Sequence, residues 1–388
     1  MRITALRTTA VRVPLRVPAR WSGGTRTTAP AIVVELETDV GLVGLGECVG
    51  PTIPTIQAIL DREFAPLVVG ADPMRHELLL HRLEELAVNW AAIGNYAIAG
   101  IDLALWDLKG KVLGTSVANL LGGVYRDPVE FMGYLFIDPP EVNAEQARAY
   151  VAEGYRTLKV KVGRDLDEDA RRLRAIRDAV GWDVAIRIDA NMAWSRSTAL
   201  RAIRRLAEYR LQYVEQPIPD TDLDGLAWLS RSVDVPIAAD EACTSVPSAL
   251  ELIRRRAVEV LVVYVSEAGG LTRARDIVHL ADAAGIHVVL GTWAELGIGT
   301  AAAAHLIASS RNFTMASDTH YSMQDDDILT EMLPLRGGRL PLPQACPGLG
   351  VTLDREKVER FHRLEARDTV FYDPDNADWI PRTGRILP

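Results

Sequence analysis

Apolar and polar positions repeat with two different periods along this chain, and the change of period divides it. Residues 1–17 alternate as a strand, and PAIVVELETD and GLVGLGECV read as two more, an antiparallel opening. A mobile loop is expected at 19–28, where Gly23-Gly24 interrupts the alternation, and another near 48–57. Residues 56–125 then carry apolar residues at helical spacing, with Gly114 just past a predicted helix C-terminus. From Val129 the rhythm changes to short β-branched runs separated by amphipathic helices such as EDARRLRAIRDAV (168–180) and STALRAIRRLAEY (197–209). Strands are predicted near 129–136, 157–162, 184–190, 212–215, 236–240, 259–264, 286–291 and 312–317. Eight strands with intervening helices make a (β/α)-barrel. After residue 320 the pattern dissolves into loops, followed by a helix at DREKVERFHRL and an extended tail, ARDTVFYDPDNADWIPRTGRILP.

The predicted barrel strands end in charged and polar residues. Lys159 and Lys161 close TLKVK, Asp189 and Asn191 follow VAIRI, Glu215 ends LQYV, and Asp240 and Glu241 follow VPIAA. The acids recur at 215 − 189 = 26 and 240 − 215 = 25 residues, about one βα unit each. All strand C-termini of a parallel barrel open on one face, so these side chains converge there. Hard carboxylate oxygens without a nearby Cys or His cluster suit Mg²⁺, with Asp189, Glu215 and Asp240 as ligands. Acids at strand ends also cap following helices, which is the alternative reading for each of them. Asn191 lies two residues beyond Asp189 and can supplement or orient the site, while Asp240 and Glu241 compete for the third ligand position. Period two puts Lys159 and Lys161 on one face of their strand. Adjacent ammonium groups beside a cation disfavour one another's charge, which is what a lysine base needs, and Lys161 is the candidate base.

Composition narrows the partners. The net charge, 43 − 52 = −9 over 388 residues, argues against nucleic acid and anionic membranes. Cys48, Cys243 and Cys346 are scattered and form neither a disulfide framework nor a zinc pattern, as in a reducing cytoplasm. No apolar signal region opens the chain and no run of 18 apolar residues occurs, so a cytoplasmic protein without a membrane span is expected.

Lys-x-Lys, Asp-x-Asn, Glu-Gln-Pro and Ala-Asp-Glu at this spacing, together with AIAGIDLALWDLKGKVLGTSVANLLGG (97–123), GGLTRA (269–274), GTWAELGIGTAAAAHL (291–306) and PGLGVTLD (347–354), give the chain a family likeness. It resembles the enolase superfamily, in its mandelate racemase and muconate lactonising enzyme branches, and more closely the latter. The resemblance implies a modified TIM barrel, (β/α)₇β, with an N-terminal α+β capping domain over residues 1–128, the barrel over 129–325, and a C-terminal segment, 326–388, returning to the cap. It implies one Mg²⁺ per subunit, with Mn²⁺ as a substitute, a small carboxylate substrate and a homo-oligomer. It makes Lys161 the proton-transfer group and Lys159 its support, and Asp240 rather than Glu241 the ligand.

The departure from the family pattern lies on the sixth strand. Members with a second, opposed base carry lysine five residues before the Gly-Gly pair, and Tyr264 stands there, five before Gly269. One-sided chemistry is therefore expected: α-proton abstraction through an enediolate, ending in β-elimination, the dehydration of a hydroxy or sugar acid. Lactone-forming cycloisomerisation and racemisation or epimerisation are the enzymatic alternatives, and a metal-binding barrel without turnover is an alternative of another class. Tyr264 acts as acid, hydrogen-bonds substrate or only packs. His320, in DTHYSMQ, a stretch similar to one in some acid-sugar dehydratases, is a candidate proton donor to a leaving hydroxyl. Specificity is assigned to Arg20, Trp21 and Arg26 in the first loop, to Thr52 and Ile53 in the second, and to Glu295 after the seventh strand.

Overall fold

The structure, a computed structural model, describes residues 1–364 apart from 91 and 345. The tail expected over the last residues lies outside the described ones. Strands β1 (Ile3–Trp21), β2 (Gly24–Thr38) and β3 (Val43–Cys48) form the antiparallel opening sheet. Pairing of β1 with β2 runs through to Trp21↔Gly24, so the mobile loop expected at 19–28 is instead the end of a hairpin. The β-branched Thr25, Thr27 and Thr28 sustain the ladder, and only Ser22 and Gly23 are left to turn. The second expected loop is also shorter, because a helix begins at Ile53. Helix Ala92–Leu113 lies against β3 at a distance only glycine permits. A Cβ at Gly46 would stand 1.9 Å from the Gly100 carbonyl oxygen, and one at Gly100 would stand 2.3 Å from Cys48 Sγ.

Seven parallel strands follow: β4 (Gly133–Leu135), β5 (Thr157–Lys161), β6 (Ala185–Asp189), β7 (Leu211–Glu215), β8 (Ile237–Ala239), β9 (Val260–Val263) and β10 (His287–Leu290). They pair in chain order as one curled sheet. The strand expected at 129–136 is split. Val129–Glu130 pairs antiparallel with Arg339–Leu340, and only Gly133–Leu135 joins the barrel. The strand expected at 312–317 is reduced to a single bridge, Phe131↔Ser317. Asn312 spends its side chain on the Ile286 carbonyl and its own carbonyl on Thr314, which leaves little backbone for a ladder. Bonds from Met132 N to Ser317 O (3.0 Å) and from Asp318 N to Leu290 O (2.8 Å) still link β4's side to β10.

Both faces of these strands are buried, as a helix-wrapped parallel sheet requires. Leu158, Val160, Ile186, Ile188, Val214, Leu261 and Val263 pack outward in the main core. The interior holds Tyr213, Ala238, Val260, Val262, Tyr264 and Val289, with charged side chains above and below. Arg187, fully buried, closes the lower interior by bonding Ala316 O and Gln212 Oε1, both at 2.7 Å. The helix Arg355–His362 comes back to the opening sheet, where His362 Nδ1 meets Ala10 O at 2.8 Å and Arg355 pairs with Glu35.

Candidate active site

The helices after β6, β7 and β8 are capped by Ser195, Asp222 and Ser245. Asp189, Glu215 and Asp240 therefore cap nothing. They face the barrel interior fully or almost fully buried, and one oxygen from each lies within 4.8 Å of the others. Burial first, then neighbouring carboxylates, push the Glu215 and Asp240 pKa values well up. Asp189 is also opposed by burial, but Lys161 and Lys159 outweigh it and its pKa is lowered. Gln216 shapes the third position, since its Oε1 accepts from Asp240 N (3.0 Å) and Ala242 N (3.2 Å). Asn191, Met192 and Gln216 all have positive φ (44°, 63° and 31°), so strained backbone sits at the strand ends. A divalent cation fits this donor set: Glu215 Oε2 is buried without a partner, and among the described residues that line the cavity the cations are Lys161 and Arg26, with the buried Lys159 beside the triad, against the carboxylates of Asp189, Glu215, Asp240, Glu241, Glu267 and Asp318.

The lysines stand beside the triad. Lys159 Nζ reaches Glu215, Asp318 Oδ2 (2.6 Å) and Asp189 Oδ2 (3.3 Å) with no solvent exposure. Burial disfavours its charge, but Asp318 and Glu215 prevail and raise its pKa well above the ordinary value. Lys161 Nζ donates to Asp189 Oδ2 (2.5 Å) and Asn191 Oδ1 (3.0 Å), and it lines the open cavity. Asn191 in turn donates to Glu241 Oε1 (3.2 Å), and burial beside Asp189 pushes the Glu241 carboxyl up to about 8. Glu241 thus lines the cavity beside Asp240, holding the residue that holds Lys161.

Across the barrel from Lys161, the Tyr264 hydroxyl donates to Asp240 Oδ2 (3.1 Å), and burial drives its pKa well up. The ring occupies space left by Gly291, where a Cβ would stand 2.1 Å from Tyr264 Cε2. His320 packs edge-on to Tyr134 (4.4 Å between ring centroids) and beside Phe136, with neither ring nitrogen hydrogen-bonded. Burial, Arg26 and the lysines hold its pKa well below the usual histidine range, so it is neutral.

The hairpin end closes over the cavity. Trp21 and Arg26 line it, and Ser22 Oγ donates to Ala190 O at 3.1 Å. Arg26 donates to Trp293 O and lies 5.6 Å from that ring's centre, and burial lowers its pKa to about 10. Four of the expected specificity residues lie elsewhere. Arg20, the residue after the inward-facing Ala19, points outward by strand alternation to Asp138 (3.1 Å). Ile53 packs into the cap core, and Thr52 pairs with Thr55. Glu295 folds back on its own loop, accepting from Thr292 Oγ1 (2.6 Å) and Trp293 N (3.1 Å). Asp318, Glu267 and Gln216 join the site without having been singled out. Asp318 opens the very stretch that drew attention to His320, and Glu267 lies one helical turn after Tyr264, but nothing local marks either side chain as inward.

Models of two protein families match the chain: the mandelate racemase / muconate lactonizing enzyme N-terminal domain over residues 3–122, and the enolase C-terminal domain-like family over 143–358. Hydrophobic dipeptide epimerase of Enterococcus faecalis is 36% identical over 87% of this chain and 94% of its own length. Its structure complexed with Mg and the dipeptide L-Leu-L-Tyr covers 91% of this chain and 100% of that one, with a TM-score of 0.84. N-succinyl-L-Arg/Lys racemase of Bacillus cereus is 31% identical, covering 96% of this chain and 99% of its own. The structure of 2-chloromuconate cycloisomerase from Rhodococcus opacus superposes with a TM-score of 0.89 at 28% identity, covering 94% and 100%. All three names are those of isomerases, so they back the isomerisation alternatives over the dehydration expected from the chain. With both family models in place over nearly all the described residues, and with this site at the barrel mouth, the protein belongs to the mandelate racemase / muconate lactonizing enzyme family of the enolase superfamily.

Proposed function

We propose that the protein is an isomerase of a small carboxylate substrate in which Lys161 handles the α-proton on one face, as in a cycloisomerisation: it gives the proton to the α-carbon as a carboxylate oxygen closes onto the β-carbon, and takes it back as that C–O bond breaks. The observation that carries this reading is the contrast across the cavity. Lys161 Nζ is held at one side by Asp189 and Asn191, and a neutral phenol, Tyr264, stands at the other. Asp189, Glu215 and Asp240 would hold Mg²⁺, which supplies positive charge to a substrate carboxylate and so favours loss of the adjacent proton. Lys159 adds a fixed positive charge beside Asp189 and Glu215, and Asp318 keeps Lys159 in place. Asn191 fixes the direction of Lys161, and the hairpin end with Trp21 excludes water. Tyr264 orients Asp240 and offers no amine to a second face.

A second reading has its own support. The two unbonded nitrogens of the neutral His320 face the same cavity, where a ring N–H can hydrogen-bond a leaving hydroxyl while the proton taken by Lys161 departs with it as water, completing a dehydration. Proton NMR in D₂O with Mg²⁺ and pooled carboxylic acids separates the outcomes. Lys161-dependent loss of an α-proton signal with retained configuration supports the base, and a rearranged or dehydrated product names the reaction. Lys161→Ala should lower exchange by about 10²–10⁴-fold. Appearance of the epimer would refute the one-faced account.

A further inference from the structure

Glu267 stands in the same cavity and has no part in the proton transfer just described. It lies in the one-turn helix Val265–Ala268, after Tyr264. Its Oε1 accepts hydrogen bonds from the Tyr96 hydroxyl (3.0 Å) and from Trp293 Nε1 (2.7 Å). Its Oε2 is shielded from solvent and has no hydrogen-bond partner. It lines the cavity together with Lys161, Asp240, Tyr264 and His320. Among the described residues no cation is paired with it, and the nearby charge that acts on it, Glu295, has the same sign.

The surroundings add to the negative character of this wall. Trp293 meets Tyr96 and Tyr264 edge-on, with ring centroids 5.9 and 6.5 Å apart, and Arg26 already lies 5.6 Å from the Trp293 ring centre, so this wall accommodates cations. Glu241 Oε2 is a second buried oxygen without a partner in the same cavity. Two donors fix Oε1, so the carboxylate is held rigid with one oxygen to spare. Burying such a group is costly unless a donor arrives, and a charged donor offsets it best. A neutral hydroxyl would satisfy the oxygen and leave the charge uncompensated. A protonated amine does both.

We propose that Glu267 receives a protonated amine of the substrate, so that the substrate is an amino acid or an N-alkyl amino acid. Its carboxylate lies toward the Asp189, Glu215 and Asp240 cluster and its ammonium toward Glu267. This rests on the reading of Lys161 as the base. It narrows the substrate from carboxylates in general to zwitterions, and it makes Glu267 a specificity-determining residue.

The test uses the full chain with Mg²⁺ in D₂O and three matched series: α-amino acids, their N-methyl forms, and α-hydroxy acids of the same carbon skeletons. Lys161-dependent α-proton exchange should be confined to the amine-bearing series. In Glu267→Gln, a near-isosteric change, KM for the best amine substrate should rise by about tenfold or more with kcat little changed. Equal or faster exchange of the hydroxy acids by the wild-type protein overturns the inference and leaves the Lys161 reading standing. A fall in kcat at unchanged KM in Glu267→Gln also overturns it, because Glu267 would then be an acid–base group. Silence in every series, with metal bound, sinks the Lys161 reading and the inference with it. The comparison between series in the wild-type protein decides the matter even if the variant does not fold.

Discussion

Lys159 offers the sharpest test of how the site balances its charge. It has no solvent exposure, and its Nζ serves Glu215, Asp318 (2.6 Å) and Asp189 (3.3 Å) together. Lys159→Met keeps an unbranched stem of similar size, so the lost area is small and the lost charge dominates. Removing one member of a buried ion-paired set costs about 3–5 kcal/mol, because the remaining charges are left uncompensated. That cost should appear in full when metal is withheld. A divalent cation bound by Asp189, Glu215 and Asp240 would replace part of the missing charge, so saturating Mg²⁺ should narrow the gap between variant and wild type. Urea unfolding of both proteins, in chelator and in Mg²⁺, measures all four stabilities. A loss below about 1 kcal/mol in chelator would mean that Lys159 is not what holds these carboxylates together. A gap of the same size in both conditions would remove the link between Lys159 and the proposed metal ligands.

Other expectations are simpler. Tyr264→Lys should place an amine opposite Lys161 and generate epimer from a single enantiomer, seen by chiral chromatography, where the wild-type protein gives none. Asp102 is fully buried and accepts from His76 Nε2 (2.7 Å) and Thr272 Oγ1 (2.6 Å), joining cap helices to the barrel helix Leu271–Ala284. Asp102→Ala should cost about 3 kcal/mol in a urea titration, since it strands several buried donors at once. Glu47 accepts from Leu296 N (2.6 Å) and Gly299 N (2.8 Å), and burial pushes its carboxyl up from 4.5 to about 8. The native state therefore keeps a proton that the unfolded state releases, so Glu47's own contribution to stability is fully present below pH 4.5 and is lost as pH rises to about 8. Glu47→Gln should flatten that part of the stability profile, and an unchanged slope would count against the assignment.

The chain alone determined the barrel, because parallel strands buried on both faces are runs of β-branched residues that stand out between amphipathic helices. It also determined that Lys159, Lys161, Asp189, Glu215 and Asp240 share one mouth, since strand ends in a parallel barrel have a common direction. Contacts between segments far apart in sequence were decided only by tertiary structure. The hairpin end at Trp21 is ordered by the barrel rim, through Ser22 on Ala190 and Arg26 on Trp293, and a glycine pair read locally cannot reveal that. Asp318 matters because the nearly strandless eighth segment delivers it to Lys159, 159 positions away along the chain. Arg20 and Glu295 are plausible by position, yet partners Asp138 and Thr292 turn them from the cavity. Glu267 belongs to the cavity because Tyr96 from the cap and Trp293 from the barrel both bond the same one of its oxygens. Periodicity encodes which face of an element is buried, and so the fold was legible. Which polar side chain on that face is left without a partner depends on long-range packing, and only the folded chain decides it.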